Sequence, residues 1–263
     1  MKINQQNQIN SGLIYALDFD GVICDSAIET SVTAWKAAQK IWQDIPHTLP
    51  SEKLMNDFRQ VRPLLETGYE AILIMRLLQQ GVSVASLSNN YTKLLEQLIH
   101  SNKLKTSDLK NLFGETRDHW IKEDLHEWLK MNPLFAGIQQ TLIKLEKNAW
   151  YIITTKQERF VKYILQANNI HLKDTHIYGM ERKMSKADSL LKIVKKHPNK
   201  NITFIEDRLP TLVNIHANKK LKAIKLYLAS WGYNTSEDKG NARNLSIELI
   251  DMQQFHSIFC HLV

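Results

Sequence analysis

The chain has 263 residues, 43% of them hydrophobic and 23% charged, enough for one large domain or a core domain carrying a smaller one, without the bias that marks disorder, collagen or a disulfide scaffold. Its two cysteines, Cys24 and Cys260, lie at opposite ends of the chain, a spacing that supports neither a disulfide framework nor a zinc site and makes a reducing, cytoplasmic setting the expectation. A net charge of +7 draws anions toward the surface. The basic residues are scattered, as in KIVKKHPNK and NKKLKAIK, and are not interleaved with aromatics, so nucleic acid is not an expected partner.

The first dozen residues, MKINQQNQINSG, are polar, and no later apolar run approaches the roughly 20 residues that span a bilayer. The chain therefore reads as neither secreted nor membrane-embedded. LIYALDF (residues 13–19) is the first strand. Residues 26–130 then carry helical patterns, among them SAIETSVTAWKAAQKIW, GYEAILIMRLLQQG and YTKLLEQLIH, with SVASL the one segment that reads as strand. Pro46, Pro50, Pro63 and Pro133 punctuate this stretch, and MNPLFAG marks the return from it.

Beyond residue 136 strands and helices alternate. WYIIT, HIYG, ITFI and AIKLYL are short and rich in Ile and Tyr, whereas GIQQTLIKLEK, QERFVKYILQA, KADSLLKIVKK and TLVNIHA place apolar residues three and four apart. That alternation predicts an α/β fold with a doubly wound, Rossmann-like parallel sheet, helices covering both faces. Residues 1–25 and 131–263 would form this core, and residues 26–130 a mostly α-helical cap inserted after the first strand.

Asp18 and Asp20 end the first strand and are followed at once by Gly21, which permits a tight turn where the chain leaves the sheet. Ligands of open α/β sheets bind beyond the carboxyl ends of strands. Two carboxylates at i and i+2 there repel each other unless a cation joins them, and a hard, oxygen-preferring ion such as magnesium suits both the charge and the ligand type.

ALDFDGVICDS resembles the first motif of the haloacid dehalogenase superfamily. The resemblance implies that Asp18 attacks phosphorus to form an aspartyl-phosphate, while Asp20 protonates the leaving oxygen and then activates water. A carboxylate with its ordinary pKa near 3.9 is already ionised at neutral pH and needs no base to attack. The carboxylate at Asp20 argues for phosphate-ester cleavage over the dehalogenase and phosphonate chemistries of the superfamily.

Three later segments are similar to the remaining motifs, in the family's order. Thr154 and Thr155 of WYIITTKQERF stand at a strand end before a helix, where hydroxyl and backbone amide hold phosphate oxygens. GMERKMSKADSLLKI offers the motif lysine as Lys186, at the start of a helix, or as Lys183, three residues earlier. ITFIEDRLPTL supplies Asp207 as a metal ligand. It departs from the family in having Glu206 before Asp207 and no acidic residue four or five positions on, so Glu206 would complete the site through a water or by bonding its neighbours. YLASWGYNT is similar to the strand-end Trp-Gly-Tyr of phosphoglycolate-phosphatase-like members and suggests no chemistry of its own.

Arg59 and Arg62, three apart in FRQVRPLLETGYE, lie on one helical face and could clamp a second anionic group of the substrate or pair within the cap with Asp57 or Glu66. His119 and His126 read as solvated residues. The expectation is thus a phosphatase that uses Mg2+ to hydrolyse a small anionic phosphorylated substrate. A phosphotransferase such as a sugar-phosphate mutase, or a non-catalytic binding protein of the same fold, is the alternative, and neither substrate nor oligomeric state is written in the sequence.

Overall fold

The computed structural model describes residues 12–145 and 150–260. The polar opening residues 1–11 and the end of the segment GIQQTLIKLEK lie outside the described residues. The chain divides into two compact units, Met1–Asp25 with Leu134–Val263, and Ser26–Pro133.

In the first unit, β1 (Leu13–Leu17) leads to a turn in which Gly21 has φ +90° and the Phe19 carbonyl accepts the N–H groups of Ile23 and Cys24. Cys24 bridges to Leu134, and the Phe135 N–H donates to the Ile23 carbonyl. The chain therefore leaves this unit and re-enters it at one place.

Among its described residues the second unit is helical: α1 (Ala27–Ile41), α2 (Glu52–Val61), α3 (Glu70–Gln79), α4 (Val84–Ser101), α5 (Thr106–Glu123) and α6 (Leu125–Lys130). Trp35, Phe58, Ile72, Met75, Leu87 and Phe113 share its apolar core. SVASL, read above as a strand, instead starts α4. Ser83 caps the helix by accepting the Ser86 N–H, and the Val84 to Leu87 spacing is one helical turn, which a five-residue apolar run cannot distinguish from a strand.

A buried charge pair lies inside this unit. Arg117 Nε and Nη2 donate to Glu29 Oε1 and Oε2 at 2.7 Å each, and Trp128 Nε1 and Thr33 Oγ1 donate to Glu29 Oε1 as well. The bidentate pairing and the neutral donors meet the desolvation cost of a buried carboxylate and tie α1 to α5 and α6.

The first unit continues with α7 (Ile138–Lys144), β2 (Trp150–Ile153), α8 (Glu158–Ala167), β3 (Ile177–Tyr178), α9 (Lys186–Lys196), β4 (Asn201–Glu206), α10 (Leu209–Ala217), β5 (Lys225–Ala229), α11 (Ser236–Asn244), β6 (Glu248–Ile250) and α12 (Met252–Cys260). The six strands are all parallel, in the order β3-β2-β1-β4-β5-β6. Ile14 and Ala16 of β1 face a core shared with Leu190 of α9 and Leu212 of α10, whereas Tyr15 packs on Phe259 of α12 with ring centroids 4.3 Å apart. Helices thus cover both faces, and the fold is the expected doubly wound α/β sheet.

Helix α12 is not among the helices expected from the sequence, and β6 and α11 escape the sequence pattern. Strand β6 has only three residues and begins with an exposed Glu248 at the sheet edge. Helix α11 (SEDKGNARN) buries only Ala242 and is started by a capping box between Thr235 and Asp238, not by an apolar stripe.

Candidate active site

Because β1 lies between β2 and β4, the sheet order reverses at β1/β4, and the carboxyl ends of these two strands form the switch point at which such sheets bind ligands. Leu17 pairs with Ile205, and the Asp18 N–H extends the ladder by donating to the Ile205 carbonyl at 2.9 Å. Register alone therefore brings Asp18 beside Glu206 and Asp207. One carboxylate oxygen from each of these three buried residues lies within 4.8 Å of the others.

Lys186, the first residue of α9, reaches Asp18 Oδ1 at 2.9 Å and Glu206 Oε2 at 2.6 Å. Between the two lysines left open by the sequence, the geometry selects Lys186. Lys183 is exposed and adopts a left-handed conformation with φ +50°. Burial would lower the Lys186 pKa, but the charges of Asp18 and Glu206 outweigh it and raise it. Glu206 is fully buried, and its second oxygen accepts the Arg208 N–H at 3.1 Å.

Burial, followed by the charge of Glu206, pushes Asp18 up from 3.8 to about 7 despite Lys186. Glu206 is raised as well, burial again being the largest cause. Burial and the neighbouring acids therefore oppose ionisation of Asp18 in this pocket. An oxygen-seeking cation held among Asp18, Glu206 and Asp207 would reverse that penalty, so the donor set fits a hard divalent ion.

Asp20, expected from the sequence to join Asp18 as a metal ligand, is not one of these three grouped acids, although its charge acts on Asp18. Its Oδ1 accepts a 2.9 Å bond from Lys156 Nζ, whose side chain is 3% exposed against 17% for that of Asp20. Thr154 follows β2 directly and is buried; its N–H donates to the Tyr178 carbonyl and its Oγ1 accepts the Lys156 N–H at 3.1 Å. Thr155 is exposed. Sequence reasoning overlooked Lys156 because a single lysine is usually solvated. The available signal was its position three residues beyond an apolar strand end.

The loop after β5, which suggested no chemistry in the sequence, supports the Asp207 corner. The Tyr233 N–H donates to Asp207 Oδ2 at 2.7 Å, and Asn234 Nδ2 donates to the Asp207 carbonyl at 3.0 Å. Trp231 Nε1 donates to the Val22 carbonyl and the Tyr233 hydroxyl to Asp25 Oδ1. A Cβ on Gly21 would fall 1.9 Å from Asp207 Oδ2, and one on Gly232 2.3 Å from Asp207 Cβ. Glycine is needed at both positions because the two turns close directly onto that carboxylate.

In the helical unit Arg59 is half-buried on α2, and Arg62, at its end, is buried. The charge of Arg62 acts on Tyr91, whose hydroxyl donates to Glu70 and which also feels Glu66. His119 and His126 are exposed, His119 lying 3.1 Å from Glu123.

No family model matches the sequence, and no curated protein matches it. Solved structures do. A predicted phosphatase from Clostridium acetobutylicum aligns over 95% of this chain and 98% of its own at 15% identity, with a TM-score of 0.56. The chain has a haloacid dehalogenase-like fold. A haloacid dehalogenase-like hydrolase from Streptococcus pneumoniae aligns over 94% and 96% at 17% identity (TM-score 0.56), and a predicted phosphoglycolate phosphatase from Haemophilus somnus over 93% and 96% at 15% identity (TM-score 0.58). The haloacid dehalogenase-like fold thus extends over nearly the whole chain. No helix of the described residues is long and apolar enough to cross a membrane.

Proposed function

We propose that the protein is a magnesium-dependent hydrolase of small phosphate monoesters that works through an aspartyl-phosphate on Asp18. The observation that carries this reading is the strand-end constellation itself. A buried carboxylate, Asp18, lies against one lysine and two further acids, and a separately held carboxylate, Asp20, stands two residues away.

Asp18, Glu206 and Asp207 would hold magnesium, which when bound supplies positive charge beside the phosphoryl oxygens. An Asp18 oxygen attacks phosphorus; as that bond forms, the ester P–O bond breaks and the leaving oxygen takes a proton from Asp20. Asp20, now a carboxylate, removes a proton from water, which attacks the phosphorus of the aspartyl-phosphate and regenerates Asp18. Lys186 balances the charge that accumulates on Asp18 and the transferring group, and Thr154 with the backbone at Thr155 holds the phosphoryl oxygens. Residues 26–130 act as the substrate-selecting cap, with Arg59 and Arg62 the candidates for a second anionic group of the substrate, and the cytoplasm is the proposed setting.

The test is phosphate release from p-nitrophenyl phosphate with and without magnesium, followed by a panel of phosphoglycolate, sugar phosphates and nucleotides. Magnesium-dependent release is the expected outcome. A folded protein inactive on every ester and indifferent to metal would sink the reading.

A further inference from the structure

We propose that Lys156 is a positioning residue for Asp20, keeping its carboxyl group out of the three-acid cluster and directed at the leaving oxygen; the proposal rests on the phosphatase reading above. Two lysines of the site pair with three of its four acids. Lys186 serves Asp18 and Glu206, and Lys156 serves Asp20. A lysine 3% exposed is rarely found without a partner that compensates its charge, and Asp20 is the ion-pair partner of Lys156, 136 residues away in sequence.

The backbone bearing this ammonium is fixed on two sides. Its N–H donates to Thr154 Oγ1, and its carbonyl accepts the Met180 N–H at 3.1 Å. Gly179 makes the second contact possible, since a Cβ there would lie 2.8 Å from the Lys156 carbonyl oxygen. Strand pairing does the rest: Leu17 is in register with Ile152, so the loops after β1 and β2 emerge side by side. Lys156 thus projects from a rigid strand end, as a group that must aim another side chain should.

An acid that has to donate a proton late in P–O cleavage must lie at the leaving oxygen and not among the groups holding charge on the nucleophile. Without Lys156 the Asp20 carboxyl group loses the 2.9 Å contact that draws it toward the loop after β2. The consequence depends on the leaving group. An alkyl alcohol departs poorly without a proton, whereas p-nitrophenolate departs as a stable anion.

The experiment compares kcat/KM for glycerol phosphate and p-nitrophenyl phosphate in the wild type, Lys156→Met, Lys156→Gln and Lys156→Arg, with thermal melting to confirm folding. Because general acid help is worth roughly 10²- to 10⁴-fold, Lys156→Met and Lys156→Gln should lose about 10²-fold or more on glycerol phosphate and less than about 10-fold on p-nitrophenyl phosphate. Lys156→Arg, which keeps the cation with a different fork geometry, should recover part of the difference. In an Asp20→Asn background the same lysine substitutions should cost nothing further on glycerol phosphate, as expected for a residue acting only through Asp20. Equal losses on both esters, no loss on either, or an undiminished loss in the Asp20→Asn background would overturn the role of Lys156 and leave the phosphatase reading intact. A folded wild type releasing phosphate from neither of these esters nor from any of the panel above would overturn both.

Discussion

Replacing Asp18 by Asn should abolish turnover and, in metal-free buffer, make the protein more stable. Asp18 keeps its proton to about pH 7 in the folded chain against an ordinary 3.8. Between those values the folded state binds more protons than the unfolded state, so stability falls as pH rises, and the loss is complete above about 7. At about 1.4 kcal/mol per tenfold change in proton affinity, the rise corresponds to about 4 kcal/mol. The opposing pull of Lys186 is already contained in that rise, and Glu206 carries part of the same burden, which leaves about 2 kcal/mol as the net gain for Asn at pH 8. For a unit of this size that is about 4–8 °C in Tm. Thermal melts of wild type and Asp18→Asn in EDTA at pH 8 and pH 4, with phosphate release measured on the same samples, provide the check. The gain should shrink toward pH 4, where the wild-type carboxyl is protonated in the native state and pH lies close to its ordinary value of 3.8 in the unfolded chain, so that little of the penalty has built up. A variant that melts at or below the wild type at pH 8, or gains equally at both pH values, would refute the argument that Asp18 is a penalised charge awaiting a cation.

Gly232→Ala brings a Cβ to 2.3 Å from Asp207 Cβ and 2.5 Å from the Gly21 carbonyl oxygen. Displacing that carboxylate should lower kcat by about 10²-fold and reduce the rise in Tm on adding magnesium; unchanged values of both would contradict the supporting role of the loop after β5. Glu29→Ala leaves Arg117 buried without its bidentate partner and should destabilise the helical unit by about 3–5 kcal/mol, measured by urea unfolding followed through tryptophan fluorescence.

The local chemistry of the chain determined a good deal by itself. Apolar runs of four to six residues marked β1, β2, β4 and β5 because buried parallel strands need continuous hydrophobic faces, and the strand-helix alternation specified the doubly wound sheet. The same strand ends exposed Asp18, Asp20, Thr154 and Asp207, since a polar residue directly after an apolar strand stands where the backbone leaves the sheet. Short or polar elements were not legible: β6 is held by its neighbour β5, and α11 by a capping box with one buried alanine. Only the tertiary structure decided which groups meet. The register of β1 with β4 joined Asp18 to Glu206 and Asp207, the start of α9 chose Lys186 over Lys183, the β1–β2 register supplied Lys156 to Asp20, and a loop more than 200 residues from Asp18 closed over Asp207. Proton affinity followed the same division. Asp18 carries an ordinary carboxylate pKa in the sequence, and it reaches about 7 only because the fold removes water and adds a second acid beside it.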